Sequence, residues 1–161
     1  MAIRNIRVEG DSVLNKRAKE VTEVNDKIKT LIQDMLETMY DAGGVGLAAP
    51  QVGILKRIVT IDVTSEADQP IILINPEIIT TEGEQTGYEG CLSVPGKFGV
   101  VTRPNYCKVR ALNEDMEEFE LEGTELLARA LCHEIDHLEG HLYLEKVEGE
   151  LMNTTDLEEE E

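Results

Sequence analysis

Nowhere in this chain does an apolar run approach the roughly 20 residues a bilayer-spanning helix needs. Its first residues, MAIRNIRVEG, hold no apolar stretch of the kind found in a secretory signal. No membrane association is expected, and the cytoplasm is the expected compartment. Cysteine is scarce as well: Cys91, Cys107 and Cys132 are few and odd in number, which excludes a disulfide framework and fits a reducing environment. Positive charge is short, with 15 Lys and Arg against 33 Asp and Glu, for a formal net charge of -18. A surface of that sign repels phosphate backbones, so direct nucleic-acid binding is not expected. Five of the acids crowd into Asp156–Glu161. Like charges without apolar partners have no core to join, so residues 151–161 read as a disordered, solubilising tail. The rest, in a chain of 161 residues that is 41% hydrophobic and 30% charged, suffices for one domain with a proper core, expected over residues 1–150.

Hydrophobic spacing divides this domain. After an extended start and a short helical turn around Ser12 to Arg17, Asn25 is placed to cap a helix. Within it Ile28, Leu31, Ile32, Met35, Leu36 and Met39 recur at steps of three and four, so this stripe faces a core, and Gly43 and Gly44 end it. The stretch Gly43–Gly53, GGVGLAAPQVG, is too rich in glycine for a helix and reads as a loop. It lacks a complete phosphate-binding pattern. Its small residues would instead let backbone approach a substrate, with the Gln51 amide nearby. Strands are expected at Ile58 to Val63, Ile71 to Asn75, Glu77 to Thr81, Lys108 to Leu112 and Phe119 to Leu121, with a hairpin turn at Asn113 to Met116. Glu89 to Val94 lies between Gly87 and Pro95-Gly96 as a strand or loop. A helix, many short strands and a final helix make the expected fold α+β, with antiparallel sheets packed around the C-terminal helix.

That last helix carries the chemistry. Leu126 to Gly140 reads LLARALCHEIDHLEG, with good helix formers, Thr124 as the expected N-cap and Gly140 as the stop. His133 and His137 are four apart, so their imidazoles lie one turn apart on one face and reach a single metal ion. Glu134 is offset around the axis, placed to meet a water rather than the ion. Leu126 and Ala130 share the histidine face and would border the ion, while Leu127, Leu131 and Leu138 form a stripe that packs inward. A histidine pair at this spacing often arises by coincidence, each ring satisfying its own hydrogen bonds. A site with an open position also needs a third protein ligand. Cys132 points about 100° away from His133 around the helix. Cys107 sits in an alternating strand pattern and reads as a small buried apolar residue. Cys91, in a glycine-flanked bend, is modestly preferred over both.

Three segments, GVGLAAPQ (Gly44 to Gln51), EGCLS (Glu89 to Ser93) and HEIDH (His133 to His137), resemble in order and spacing the three motifs of peptide deformylases. The resemblance extends from Ile3 to about Val147. It implies an enzyme, a metal-dependent amide hydrolase that removes the formyl group from the N-terminal formylmethionine of new polypeptides. It further implies Cys91, His133 and His137 as metal ligands, Glu134 as the acid/base, and Gln51 with the Leu92 backbone N–H as donors to the oxyanion. Gly46 would contact the peptide backbone, with Leu126 and Ala130 beside the substrate, and Glu89 with Arg103 forms the family's buried ion pair. Ligand chemistry alone reads as zinc; the resemblance implies one ferrous ion, with zinc, nickel or cobalt as substitutes. The implied partners are N-formylmethionyl peptides and nascent chains, with transient proximity to the ribosome, and the chain is expected to be a monomer.

The chain departs from that family pattern in three places. Cys132 stands where Gln is usual, Ser12 where Pro is frequent, and the acidic tail differs from the basic C-terminal helix that some members dock on the ribosome. The competing readings explain less. A long zinc-peptidase motif needs histidine where Tyr143 stands, and His141 comes two residues too early. A peptidase with a distant Glu ligand leaves GVGLAAPQ and EGCLS unexplained. A non-catalytic relative would be signalled by loss of Glu134 or Gln51, and both are present.

Overall fold

The computed structural model describes residues 2–64, 66 and 68–154. Asn25 does cap the first helix, α1 (Asp26–Asp41), its side chain accepting from the Ile28 N–H at 3.0 Å. The spaced Leu31, Ile32, Met35 and Met39 are buried along it. Among the described residues eight strands follow in chain order: β1 (Gly46–Ala48), β2 (Ile58–Ile61), β3 (Ile71–Glu82), β4 (Gln85–Cys91), β5 (Val94–Arg103), β6 (Tyr106–Leu112), β7 (Glu118–Thr124) and β8 (Val147–Asn153). The second helix, α2 (Leu126–Leu138), lies between β7 and β8. All strand pairs are antiparallel. They form a five-stranded sheet in the order β1-β2-β3-β6-β7 and a three-stranded sheet in the order β4-β5-β8. The fold is α+β.

Alternation along the strands gives the large sheet two apolar faces. Ile58 and Ile74 pack with Leu31, Ile32, Met35 and Met39 of α1. Val59, Ile61, Leu73, Cys107 and Val109 face the other way, onto Leu131, Ile135 and Leu138 of α2, and Leu127 packs against the same cluster. The core stripe expected on α2 is therefore present, and α2 lies with the large sheet on one side and β5 of the small sheet on another. No helix among the described residues is long and apolar enough to cross a membrane.

Several sequence expectations need correction. The glycine-rich Gly43–Gly53 is not a plain loop: β1 pairs with β2, and Ala49–Val52 forms a 3-10 turn. Its small side chains, all buried in β1, let that strand lie against α2, a role that composition conceals. Pro76 does not divide β3. It falls at a register shift between Ile74 and Glu77, where a missing N–H breaks no ladder. Pro95-Gly96 likewise does not end a strand, because β4 and β5 form a hairpin in which Cys91 pairs with Val94. Thr124 belongs to β7, opposite Tyr106. Glu125 takes the N-cap place with a positive φ of 54° and no side-chain cap, while Gly140 closes the helix at φ 83° as expected. Finally, β8 carries the small sheet past residue 150, to Asn153. The acidic stretch 155–161 lies outside the described residues.

Deletion of residues 147–161 would strip β8 from β5 and expose the contacts of Val147 with Val94, Val101 and Tyr143. A thermal melt should show a loss of about 5 °C or more, while deletion of 156–161 alone should leave the midpoint within about 1 °C. Equal midpoints for the two truncations would show that β8 contributes nothing.

Candidate metal centre

The two sheets and α2 meet at one point. Cys91 arrives at the end of β4, held by the tight turn into β5, and His133 and His137 project from adjacent turns of α2. Their ligand atoms lie within 4.8 Å of one another. Cys91 Sγ is 3.4 Å from His137 Nε2, and the two histidine Nε2 atoms are 3.2 Å apart. Cys107 and Cys132 are instead buried together in the main core, 4.0 Å apart, away from this cluster.

Glu89 fixes the tautomer of His133. Burial alone would raise its pKa, yet hydrogen bonds from His133 and Arg103 hold it at about 2, so the carboxylate is ionised. An ionised carboxylate only accepts, so His133 Nδ1 facing it carries the proton, which leaves Nε2 as the ring atom that can bind a metal. That atom faces His137 Nε2 and the Cys91 sulfur, so three atoms able to bind a cation are directed at one point. Ligand bonds of about 2.1 Å at tetrahedral angles would put two nitrogens about 3.4 Å apart, close to the spacing seen. The donor set fits a metal ion.

Glu89 does more than orient one ring. Its two oxygens take Arg103 Nη2 at 2.6 Å, Arg103 Nε at 3.2 Å and Arg129 Nη1 at 2.7 Å, besides His133. Arg103 reaches on to Asp136 at 2.7 Å, and Arg129 to the Val101 carbonyl at 3.2 Å. The expected Glu89–Arg103 pair is there, but Arg129 and Asp136 were missed. Their signal lay in the helix period: Arg129 is four residues before His133, and Asp136 three after it.

Glu134 sits behind the cluster, with Oε2 3.9 Å from His133 Nε2 and Oε1 4.0 Å from His137 Nε2. It is within reach of the ligands without bonding to them. Oε1 is buried and has no hydrogen-bond partner among the described residues. Burial pushes its carboxyl up to about 7, the range in which a group both takes and returns a proton near neutrality. Gly46 covers it from β1: a Cβ there would lie 2.5 Å from Glu134 Oε2.

Gln51 is pinned by its carbonyl, which accepts the Ala48 N–H at 2.9 Å. Because that N–H can only donate, the amide NH2 must point the other way. It meets Ser93 Oγ at 3.0 Å and Cys91 Sγ at 3.6 Å. Leu92, Gly46, Leu126 and Ala130 border the same cleft of about 450 Å³ as Gln51, Cys91, His133 and Glu134. Leu126 is half exposed at its edge and Ala130 buried within it. The cleft thus gathers all the site residues read from the sequence except Arg103, which stands behind Glu89, and His137, at the foot of the metal cluster.

Comparison with known proteins agrees with this geometry. The model of the polypeptide deformylase family matches residues 3–152. The chain belongs to that family. A peptide deformylase of Lachnoclostridium phytofermentans is 68% identical over 161 residues, covering 100% of this chain and 99% of the relative. One from Agathobacter rectalis is 70% identical over 155 residues, 96% of each chain. Among solved structures, the peptide deformylase of Thermotoga maritima superposes with a TM-score of 0.87 at 42% identity, covering 91% of this chain and 99% of that one.

Replacing Glu89 by Ala would leave two buried guanidinium groups without their carboxylate. It should cost about 3–5 kcal/mol in urea denaturation of metal-free protein, where loss of the ion cannot contribute. A loss below about 1 kcal/mol would show that Arg103 and Arg129 find other partners.

Proposed function

We propose that this chain is a peptide deformylase, a metal-dependent amide hydrolase that removes the N-formyl group from the N-terminal formylmethionine of newly made polypeptides. The observation that carries this reading is the convergence of Cys91, His133 and His137 around one point, with Glu134 beside it, whose buried Oε1 has no hydrogen-bond partner among the described residues. Cys91, His133 and His137 would hold the ion, for which the family resemblance implies ferrous iron, with zinc, nickel or cobalt as substitutes. When bound, the ion supplies Lewis acidity, polarising the formyl carbonyl and acidifying water. Glu134 takes a proton from the attacking water as oxygen joins the formyl carbon. The Gln51 NH2, whose direction is fixed by Ala48, and the Leu92 N–H donate to the carbonyl oxygen as it gains charge. The C–N bond then breaks, Glu134 returns its proton to the leaving amine, and formate and a free N-terminus result.

Gly46 lets the β1 backbone approach the substrate and Glu134, and Leu126 with Ala130 gives the methionine side chain an apolar wall. Glu89, clamped by Arg103, orients His133. The chain works as a single catalytic domain and a monomer in the cytoplasm, on nascent chains near the ribosome. Its charge of -18 argues against holding ribosomal RNA directly. Metal analysis of protein purified without air, paired with formate release from formyl-Met peptides, tests the activity and the ion together.

The two kinds of site residue should separate by mutation. Glu134→Gln is expected to keep stoichiometric metal and lose about a thousandfold or more of turnover, as expected when a proton carrier is removed. Cys91→Ala is expected to bind metal at least about tenfold more weakly. Metal loss from the first variant, or normal metal in the second, would reverse the roles assigned here.

Substrate selectivity gives a second check. A Cβ on Gly44 would lie 2.7 Å from Leu92 Cδ1, so the Leu92 side chain would have to shift, and Gly46 is closed by Glu134. These walls leave little space at the acyl carbon, and a formyl carbonyl is also the more electrophilic. Formyl-Met peptides should therefore be hydrolysed at least about a hundredfold faster than acetyl-Met ones, a penalty of the size that overpacking a tight site produces. Comparable kcat/KM values for the two would contradict the tight wall.

A further inference from the structure

Two thiols have no part in the hydrolysis. Cys107 of β6 and Cys132 of α2 are buried side by side in the main core, their sulfurs 4.0 Å apart, and both are free. They come from elements of unequal rigidity. Cys107 stands on a strand bonded along both flanks, opposite Thr81 of β3 and Gly123 of β7, so it cannot shift without disturbing two ladders. α2 meets the same face of the sheet through apolar side chains, Leu131, Ile135 and Leu138, with Cys132 among them. The helix is therefore the partner that yields. The next residue along it, His133, is turned about 100° away and reaches Glu89 of the small sheet. A pull on Cys132 toward the large sheet thus acts against the hold of Glu89 on His133.

We propose that Cys107 and Cys132 are a peroxide-sensitive dithiol, whose closure to a disulfide draws α2 onto the large sheet and loosens His133 from the metal centre. One thiol attacks an oxygen of hydrogen peroxide: an S–O bond forms, the O–O bond breaks, and a sulfenic acid and water result. The second thiol displaces that oxygen as another water, and the S–S bond forms. The two thiols lose two electrons and two protons in all, and one peroxide becomes two waters. The sulfurs close from 4.0 Å to about 2.05 Å. Side-chain rotation supplies part of that approach and α2 the rest. Cys107 is fully buried and Cys132 is 5% exposed, so the site admits a small uncharged oxidant during local opening and excludes a bulky one. The effect on the ion rests on the metal-centre reading above; the cross-link does not.

The experiment treats zinc-loaded protein with hydrogen peroxide and digests it with trypsin without reduction. The three cysteines fall on separate tryptic peptides, 58–97, 98–108 and 130–146. A species joining 98–108 to 130–146, lighter by two hydrogens than the two peptides together, should appear and should vanish with dithiothreitol. Zinc affinity, read by competition with a coloured chelator, should fall about tenfold with the cross-link, as when a contact that orients a ligand is disturbed, and should return on reduction. Cys107→Ala and Cys132→Ala, which keep Cys91, should bind zinc equally well before and after peroxide. A fall of the same size in those variants would make Cys91 the reactive thiol and overturn the proposal. Absence of the cross-linked species also overturns it, as does a cross-link that leaves zinc affinity within about twofold. Reduced protein that binds no zinc would overturn the metal-centre reading instead, and the peptide map would still decide the cross-link.

Discussion

The carboxylate of Glu89 is the joint on which the site depends. It comes from β4 of the small sheet, it is clamped by Arg103 from β5, and it reaches Arg129 and His133 on α2, which is packed against the large sheet. A buried carboxylate is costly to desolvate, and a single opposing charge seldom compensates fully. Here both oxygens are saturated by four hydrogen bonds. The same bonds fix the distance between the strand that delivers Cys91 and the helix that delivers the histidines. Ligand geometry is therefore set by a polar strut between layers, because apolar packing alone holds no particular rotation of α2 to within a few tenths of an ångström.

The charges around that strut balance in a way that serves the ion. Glu89 and Asp136 face Arg103 and Arg129, two against two. Beyond this neutral group lie the Cys91 sulfur and the Glu134 carboxyl. Glu134 is the member left incomplete, with one buried oxygen lacking a partner among the described residues and a carboxyl pushed up to about 7 by burial. Buried polar atoms are nearly always satisfied, and an exception beside three ligand atoms marks the place where substrate or water completes the bonding. The fold holds the other members tightly and leaves that one free to exchange a proton.

The chemistry was more legible in the sequence than the topology. The histidine pair is local to one helix, and a period of 3.6 residues turns spacing directly into a shared face. Cys91 could only be modestly preferred from its own surroundings, because its neighbour across space, Gln51, is forty residues away and no periodicity links them. Family resemblance supplied that link. The strands failed where glycine and proline mislead: β1 is too small in its side chains to read as a strand, and Pro76 and Pro95 sit inside strands at places where the ladder tolerates them. β8 was missed because Val147–Asn153 carries two glutamates and a glycine and is mostly exposed to solvent. Its pairing with β5 is a long-range contact that local propensity cannot report.

The ligand triad by itself does not select a reaction, since a thiolate and two imidazoles would suit many hydrolytic or purely structural metal sites. Selection comes from the walls. Gly46 permits β1 to close against Glu134 so tightly that even one methyl group would strike the carboxylate. Gly44 brings the same segment against Leu92, on the turn that follows Cys91. The residues that look most permissive in the sequence are thus the ones that make the site narrow. A glycine-rich stretch paired as an edge strand places backbone where side chains would otherwise stand, and the acyl group that fits between β1 and the Cys91 turn must be correspondingly small. The same pairing points the Gln51 amide inward, because the Ala48 N–H that fixes it belongs to β1. Narrowness and the orientation of the oxyanion donor therefore share one structural cause, and a change that widened the wall would also release the donor.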